Sequence, residues 1–358
     1  MNTPNFIKLS GLSGIMRVRN EDKYVEACIE SCIDSLDELI VVYTGCTDRT
    51  EDILKRKVNE YPQKLRIFKY EHDILWFGLN QQEYEFAMNL QEDSPLLYCN
   101  LCNFALSKAR YKYAVKIDSD QIYYSDELRK WRDTCYADEN IKIEFSFIIG
   151  MFFMTYFSIY RRISAKLGKP CSRLIPNKLV KICFPSYIKF AKWCLTHDKA
   201  AIALSGVNVF IDGQWYIPFD GVNIHPPYNG EGDTLIFKVS ERTFYTRHSS
   251  NTSMFKTTFS VTEDFNHPYL RIMFAGPMWF HLHANRAHCF SNVKLMKTQR
   301  PDLFVLIKDF LNMSYEEVLQ KMDSKSHSLF QRTLFALIHK VGISTIKKNL
   351  YIIDKYKQ

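Results

Sequence analysis

The sequence has few of the residues that keep a chain open. Its 358 residues include only 12 Pro and 13 Gly, too few for a fibrous or disordered chain. No apolar run reaches the roughly 18 to 20 residues needed to span a membrane. The ten Cys lack the close, even spacing of a disulfide framework, so a reducing compartment and buried thiols are expected. Met1-Asn2-Thr3-Pro4-Asn5 has no basic start and no apolar run, so no secretory signal is expected. Acidic residues are missing locally as well. No Asp or Glu stands between Glu144 and Asp198. That stretch holds nine basic residues: Arg161, Arg162, Lys166, Lys169, Arg173, Lys178, Lys181, Lys189 and Lys192. The net charge of the whole chain is +8, so the remainder is close to neutral. The basicity is local and points to a partner at one place.

What is present is ordinary globular material with an aromatic excess. Hydrophobic residues make 46% and charged residues 24%, and aromatics reach 15% through 26 Phe and 21 Tyr. A greasy or sugar-stacking surface is one use for them. The length fits two or three domains, or one elaborated domain.

The first 120 residues alternate between two periods. Gly14 to Val18 is a short apolar run that ends in polar Arg19-Asn20-Glu21-Asp22. Val25, Cys28, Ile29, Cys32, Ile33 and Leu36 then form one helical stripe. Glu38 to Tyr43 reads as a buried strand, and Thr44 to Thr47 as a turn. Asp48 with Glu51 suits a capped helix start. Leu65 to Phe68 is a third strand, residues 97–110 a helix, and Ala114 to Ile117 a further strand that ends in Asp118-Ser119-Asp120. This order predicts an α/β fold with a mainly parallel central sheet. Ligands of such sheets bind beyond the carboxyl ends of the strands. Three polar clusters fall there: Arg17 to Glu21, Thr44 to Asp48, and Asp118 to Asp120.

Two carboxylates at i and i+2 leaving a strand can point the same way. They suit a hard divalent cation, Mn2+ or Mg2+, which takes oxygen ligands and keeps positions open for phosphate. Such an ion would stabilise a diphosphate leaving group. A solvated acidic loop is the plain alternative.

Four segments, in order, resemble the family 2 glycosyltransferases, whose nucleotide-sugar fold is called GT-A. Arg17-Val18-Arg19-Asn20-Glu21 resembles the family's first-strand loop. Glu38 to Thr50, with Gly45-Cys46-Thr47-Asp48-Arg49-Thr50, resembles its second-strand acidic turn. Asn103 to Ala109 with Tyr113 resembles its Asn-x-Gly-x-x-x-Ala segment, and Lys116 to Asp120 its Leu-Asp-Ser-Asp metal motif. The resemblance covers roughly residues 13 to 125. It implies that Arg17 and Arg19 border the nucleotide base, that Asp120 is a direct metal ligand, and that Asp118 lies nearer the ribose or a metal-bound water. Thr44 stands where the family often has an Asp that contacts uracil. A UDP-sugar is the favoured donor by resemblance, and another nucleotide remains open.

The second half supplies further candidates. Residues 201–219 alternate like a hairpin around Asp212-Gly213, a strong turn signal. Pro226 to Thr234 is an acidic, Gly-rich loop. In the resembling family a carboxylate at this stage is the general base of an inverting transfer. Asp233 is the first choice and Glu231 the second; a turn with an N-capping Asp is the alternative. In Met278 to His283, His281 and His283 face one side of an extended segment. By resemblance, one of them completes the metal site; packed histidines are the alternative. Cys99-Asn100-Leu101-Cys102 is a lone pair within a helical pattern, so packing is expected rather than zinc, as for Cys28 and Cys32.

Residues 145–160 are uncharged and rich in Phe, Ile, Met and Tyr. With the basic stretch that follows, they suggest a surface anchor on anionic lipid. A buried sheet strand with a solvated basic helix is the other reading. No nucleic-acid module accompanies the basic patch. From about Arg300 the chain reads as helical.

The expected organisation is a donor-binding half (1–140), a hydrophobic and basic insert (141–198), an acceptor-side half (199–292) and a helical extension (293–358). The expected activity is metal-dependent, inverting sugar transfer to a cell-surface glycan or lipid-linked precursor. The expected location is cytoplasmic, peripheral at the inner face of the cell membrane. Two other readings are open. One is a phosphohydrolase using Asp118 as nucleophile, against which Gln121-Ile122 stand where such enzymes usually have Gly-Thr. The other is a non-catalytic sugar- or nucleotide-binding protein on the same fold.

Overall fold

The computed structural model describes residues 9–169, 176–219, 227–229, 234–250, 259–322 and 328–355. In chain order the strands are β1 (Leu9–Val18), β2 (Glu38–Tyr43), β3 (Leu65–Lys69), β4 (Phe77–Leu79), β5 (Tyr111–Ile117), β6 (Gln121–Tyr123), β7 (Ala201–Asn208), β8 (Phe210–Asp212), β9 (Gln214–Pro218), β10 (Tyr228–Asn229), β11 (Leu235–Lys238), β12 (Phe244–Ser250), β13 (Phe259–Asn266), β14 (Ile272–His281) and β15 (Phe304–Leu306). The helices are α1 (Val25–Cys32), α2 (Thr50–Glu60), α3 (Gln81–Asn89), α4 (Tyr98–Ser107), α5 (Ser125–Ala137), α6 (Ser146–Leu167), α7 (Asn177–Thr196), α8 (Ala287–Gln299), α9 (Ile307–Phe310), α10 (Tyr315–Lys321), α11 (Leu329–Lys348) and α12 (Tyr351–Lys355).

The chain forms two compact units. The first comprises Met1–Asp120, Ser125–Asp138 and Leu235–Arg271; the second comprises Gln121–Tyr124, Glu139–Thr234 and Ile272–Gln358. Residues 235–271, which the sequence reading grouped with the acceptor side, therefore pack in the first unit.

In the first unit the main strands run in the order β3-β2-β1-β5-β11. β1 is parallel to β2 and β5, β2 is parallel to β3, and β11 is antiparallel to β5. This is the mixed α/β, mainly parallel sheet expected of a GT-A-type fold. β2 is buried along its whole length, including Glu38. Burial pushes the Glu38 pKa up, but the Arg110 N–H, the Arg66 guanidinium and the Ser13 hydroxyl outweigh it and hold the carboxylate below its usual range. On α1, Val25, Cys28, Ile29 and Cys32 are fully buried, which confirms the helical stripe and the packing role of both thiols. Helix α2 starts at Thr50, with Asp48 Oδ1 accepting the Thr50 N–H at 2.9 Å. Glu51 pairs with Lys55 instead of closing a capping box. A small sheet, β12-β13-β4, completes this unit.

In the second unit β14 is parallel to β7 and antiparallel to β6, with Gln121 opposite His281. The sequence suggested one hairpin over 201–219. The chain instead breaks at Val209, whose N–H donates to His281 O. Only β8 and β9 form a hairpin, turning at Gly213 with φ 70°, and β15 adds to it. The expected turn is there, but β7 is drawn off by its parallel partner. Residues 146–160 belong to helix α6, with Phe145 as its cap, so the buried-strand reading is wrong for this segment. Arg173 lies outside the described residues.

Candidate functional site

The carboxyl ends of β1 and β2 in the first unit are laced together by short polar contacts. Asn20, held at φ 57°, accepts the Thr47 N–H at 2.7 Å. The Glu21 N–H donates to Thr50 Oγ1 at 2.7 Å, and the Asp22 N–H donates to Asp48 Oδ2 at 3.1 Å. These bonds fix one loop against the other, so the residues between them are positioned by backbone rather than by chance.

Arg17 points from the end of β1 into this corner. Its side chain is 3% exposed and lies 3.6 Å from Glu263 and 3.9 Å from Asp118. The guanidinium also sits over the rings of Tyr98 and Tyr245. Its Nε and Nη1 are buried with no hydrogen-bond partner among the described residues. Buried donors left unpaired are costly, and acceptor oxygens of a ligand would satisfy them. A pocket opens here, lined by Arg17, Arg19, Thr44, Trp76 and Tyr98 among others. Arg19 is exposed at its mouth and covers Gly45, which is held at φ 53°. Thr44 is buried, and its hydroxyl donates to His72 O at 2.9 Å. The hydroxyl proton is thus already committed, so toward a base Thr44 Oγ1 can act as acceptor only.

Asp118 and Asp120 follow β5 in the same unit, as the sequence reading expected. Asp120 is 2% exposed, while the Asp118 side chain is 26% exposed and also lies 3.7 Å from Lys116. Both are hard oxygen donors of the kind a Mn2+ or Mg2+ ion takes, and Asp118 Oδ1 is shared between Arg17 and Lys116. The Cys28 thiol donates to Asp118 O at 3.3 Å. Burial, with Cys32, Asp120 and Asp118 nearby, pushes its pKa well up, so it stays a neutral thiol.

In the second unit, His281 Nδ1 lies 2.7 Å from Asn208 Oδ1 and 3.0 Å from Asn229 Nδ2. The two contacts ask opposite roles of Nδ1, donor to Asn208 Oδ1 and acceptor from Asn229 Nδ2, so they hold the ring in place without fixing its tautomer. His283 lies 3.7 Å from the Cys289 thiol, and with His288 these donors fall within 4.8 Å of one another. Cys99 and Cys102 are buried on α4, as expected for packing. Asp233 and Glu231 lie outside the described residues.

Sequence reasoning gave the Lys116 side chain no role and missed Trp76, Tyr98, Tyr245 and Glu263. The last two sit on β12 and β13, far along the chain, and only the tertiary fold brings them to Arg17. β5 carries two lysines, Lys112 and Lys116, and nothing in the local pattern tells which of them lies near Asp118.

Residues 13–73 match the model of Glycosyl transferase family 2. The match is confined to that segment. No curated protein matches it. Among solved structures, glucosyl-3-phosphoglycerate synthase from Mycobacterium tuberculosis, in complex with Mn2+, UDP-glucose and phosphoglyceric acid, aligns at 21% identity and a TM-score of 0.22. The alignment covers 32% of this chain and 34% of that one. The same synthase with Mn2+, UDP and glucosyl-3-phosphoglycerate aligns with the same identity, coverage and score. The match spans about a third of the length of these chains.

Proposed function

We propose that this chain is a metal-dependent, inverting glycosyltransferase. It moves a sugar from a nucleotide-sugar donor, a UDP-sugar favoured, to a cell-surface glycan or its lipid-linked precursor. The observation that carries this reading is the corner of the first unit. Within one unit, Asp118 and Asp120 leave β5 beside Arg17, whose unpaired buried donors line a pocket. The family 2 match over residues 13–73 supports the same reading.

In this proposal the pocket takes the nucleotide base, with Arg17 and Arg19 offering donors and Thr44 an acceptor. Asp120 and Asp118 hold the divalent cation, and His281 or His283 completes its ligands. The bound cation supplies charge neutralisation at the departing diphosphate. Asp233, with Glu231 as the alternative, removes the proton from the acceptor hydroxyl as that oxygen attacks the anomeric carbon. Attack opposite the leaving group inverts the configuration. A lipid-linked acceptor would put the protein at the cytoplasmic face of the cell membrane.

The test is donor turnover. Purified protein is given a panel of nucleotide-sugars with Mn2+, and release of the nucleotide is followed. Release from one donor class, abolished by Asp120→Asn, is expected. Equal release by wild type and Asp120→Asn would contradict the metal assignment.

A further inference from the structure

We propose that α6 lies in the plane of a bilayer surface carrying anionic lipid, with one apolar face in the lipid and its basic residues on the headgroups. This deepens the location given above, but its evidence is independent of the transferase chemistry. From Phe145 at the cap of α6, the exposed large apolar residues are Phe145, Ile148, Met151, Phe152, Ile159, Ile163 and Leu167. Their relative exposures run from 41% to 80%. At 100° per residue they fall within an arc of roughly 160°. This is one continuous stripe along a helix about 33 Å long. Soluble monomers rarely leave such a patch bare.

The opposite side of α6 is already in use. Phe153 packs on Tyr187 and Phe184 of α7, and Phe147 packs on Phe190. The bare stripe is therefore a second apolar face, beyond what the fold requires. Its surroundings select the occupant. Arg162 and Lys166 fall on the Met151 and Ile148 side of this face, near its C-terminal end, and Lys169 follows the left-handed Gly168 that ends the helix. Lys178 and Lys181 on α7 are also exposed. No acidic residue occurs from 145 to 197, and Glu144 just before it is paired with Lys189 at 2.8 Å. An apolar stripe flanked by unopposed basic residues matches an anionic headgroup boundary. No described helix is long and apolar enough to cross a membrane, which leaves α6 on the surface rather than through it. Arg161 is excluded from the contact. Its Nε donates to Phe330 O at 2.9 Å, and its guanidinium stacks on the Phe330 ring.

The test is co-sedimentation of the full chain with vesicles of equal parts phosphatidylglycerol and phosphatidylcholine, against phosphatidylcholine alone. Wild type is expected to sediment with the anionic vesicles and only weakly with the neutral ones. Changing Arg162, Lys166 and Lys169 to Gln should weaken anionic binding on the order of 100-fold. Changing Ile148, Phe152 and Ile159 to Ser, all at exposed positions, should weaken it at least as much. Equal sedimentation of wild type and both variants would overturn the proposal. So would a solution dimer of wild type that the Ser variant abolishes, since the stripe would then be covered by a second copy. The readout uses no nucleotide, so failure of the transferase reading would leave this result standing.

Discussion

Replacing Arg17 by Met removes a guanidinium that two carboxylates and two rings enclose. Glu263 lies 3.6 Å and Asp118 3.9 Å away. At an effective dielectric of about 20, each pair attracts by about 4 kcal/mol before desolvation is counted. Breaking a buried ion pair from one side costs about 3 to 5 kcal/mol. Glu263 and Asp118 keep 14% and 26% side-chain exposure, so water softens the loss. A destabilisation of about 3 kcal/mol is expected. Met preserves most of the apolar stem, so the loss reports charge rather than a cavity. Glu263→Gln alone should cost about 1 kcal/mol, because Arg17 keeps Asp118. The double variant should cost less than the two singles together, with a coupling of about 1 to 2 kcal/mol. Urea unfolding of the four proteins measures this directly. A loss under about 1 kcal/mol for Arg17→Met, or strict additivity, would refute the view that the guanidinium organises the corner.

Three further predictions concern other parts of the molecule. His339 is buried on α11 between Tyr228 and Met313, and burial pushes its pKa down from 6.5 to about 4, against the Met313 carbonyl. The unfolded imidazole binds a proton near pH 6.5 but the folded one waits until about pH 4. Stability should therefore fall by about 3 kcal/mol as pH drops through that window, and His339→Gln should flatten the fall; an unchanged slope would refute the assignment. A Cβ on Gly206 would collide with the buried Trp279 indole, so Gly206→Ala should cost about 3 kcal/mol, read as a lowered Tm; an unshifted Tm would show that the indole can move aside. Asp233→Asn should lower kcat by about 100-fold or more while nucleotide affinity stays unchanged; full activity, with loss in Glu231→Gln instead, would transfer the base role to Glu231.

The donor-side scaffold was legible because its periods are clean. β2 is buried throughout and apolar after Glu38, α1 keeps one stripe, and Asp118-Ser119-Asp120 follows a strand of the same sheet. The partners of Arg17 were not legible. Tyr245 and Glu263 belong to β12 and β13, and no local period links them to β1. Helix α6 hid its type for a different reason. Phe147, Phe153 and Phe157 are buried, while Ile148, Phe152 and Ile159 are exposed. A helix apolar on two faces shows no 3.6-residue alternation, so it reads like an apolar strand run. The break at Val209 was hidden by equally apolar residues on both sides, and only the pairing of β7 with β14 separates them.

The central claim is that Asp120 and Arg17 belong to a nucleotide-sugar site. Calorimetric binding of UDP, GDP, CMP and dTDP, with and without Mn2+, tests it on wild type and Asp120→Asn. Binding of one nucleotide that requires Mn2+ and disappears in Asp120→Asn is the expected result, and it would name the donor class. Folded wild-type protein that binds none of the four with Mn2+ present would contradict the account and favour a non-catalytic role for the fold.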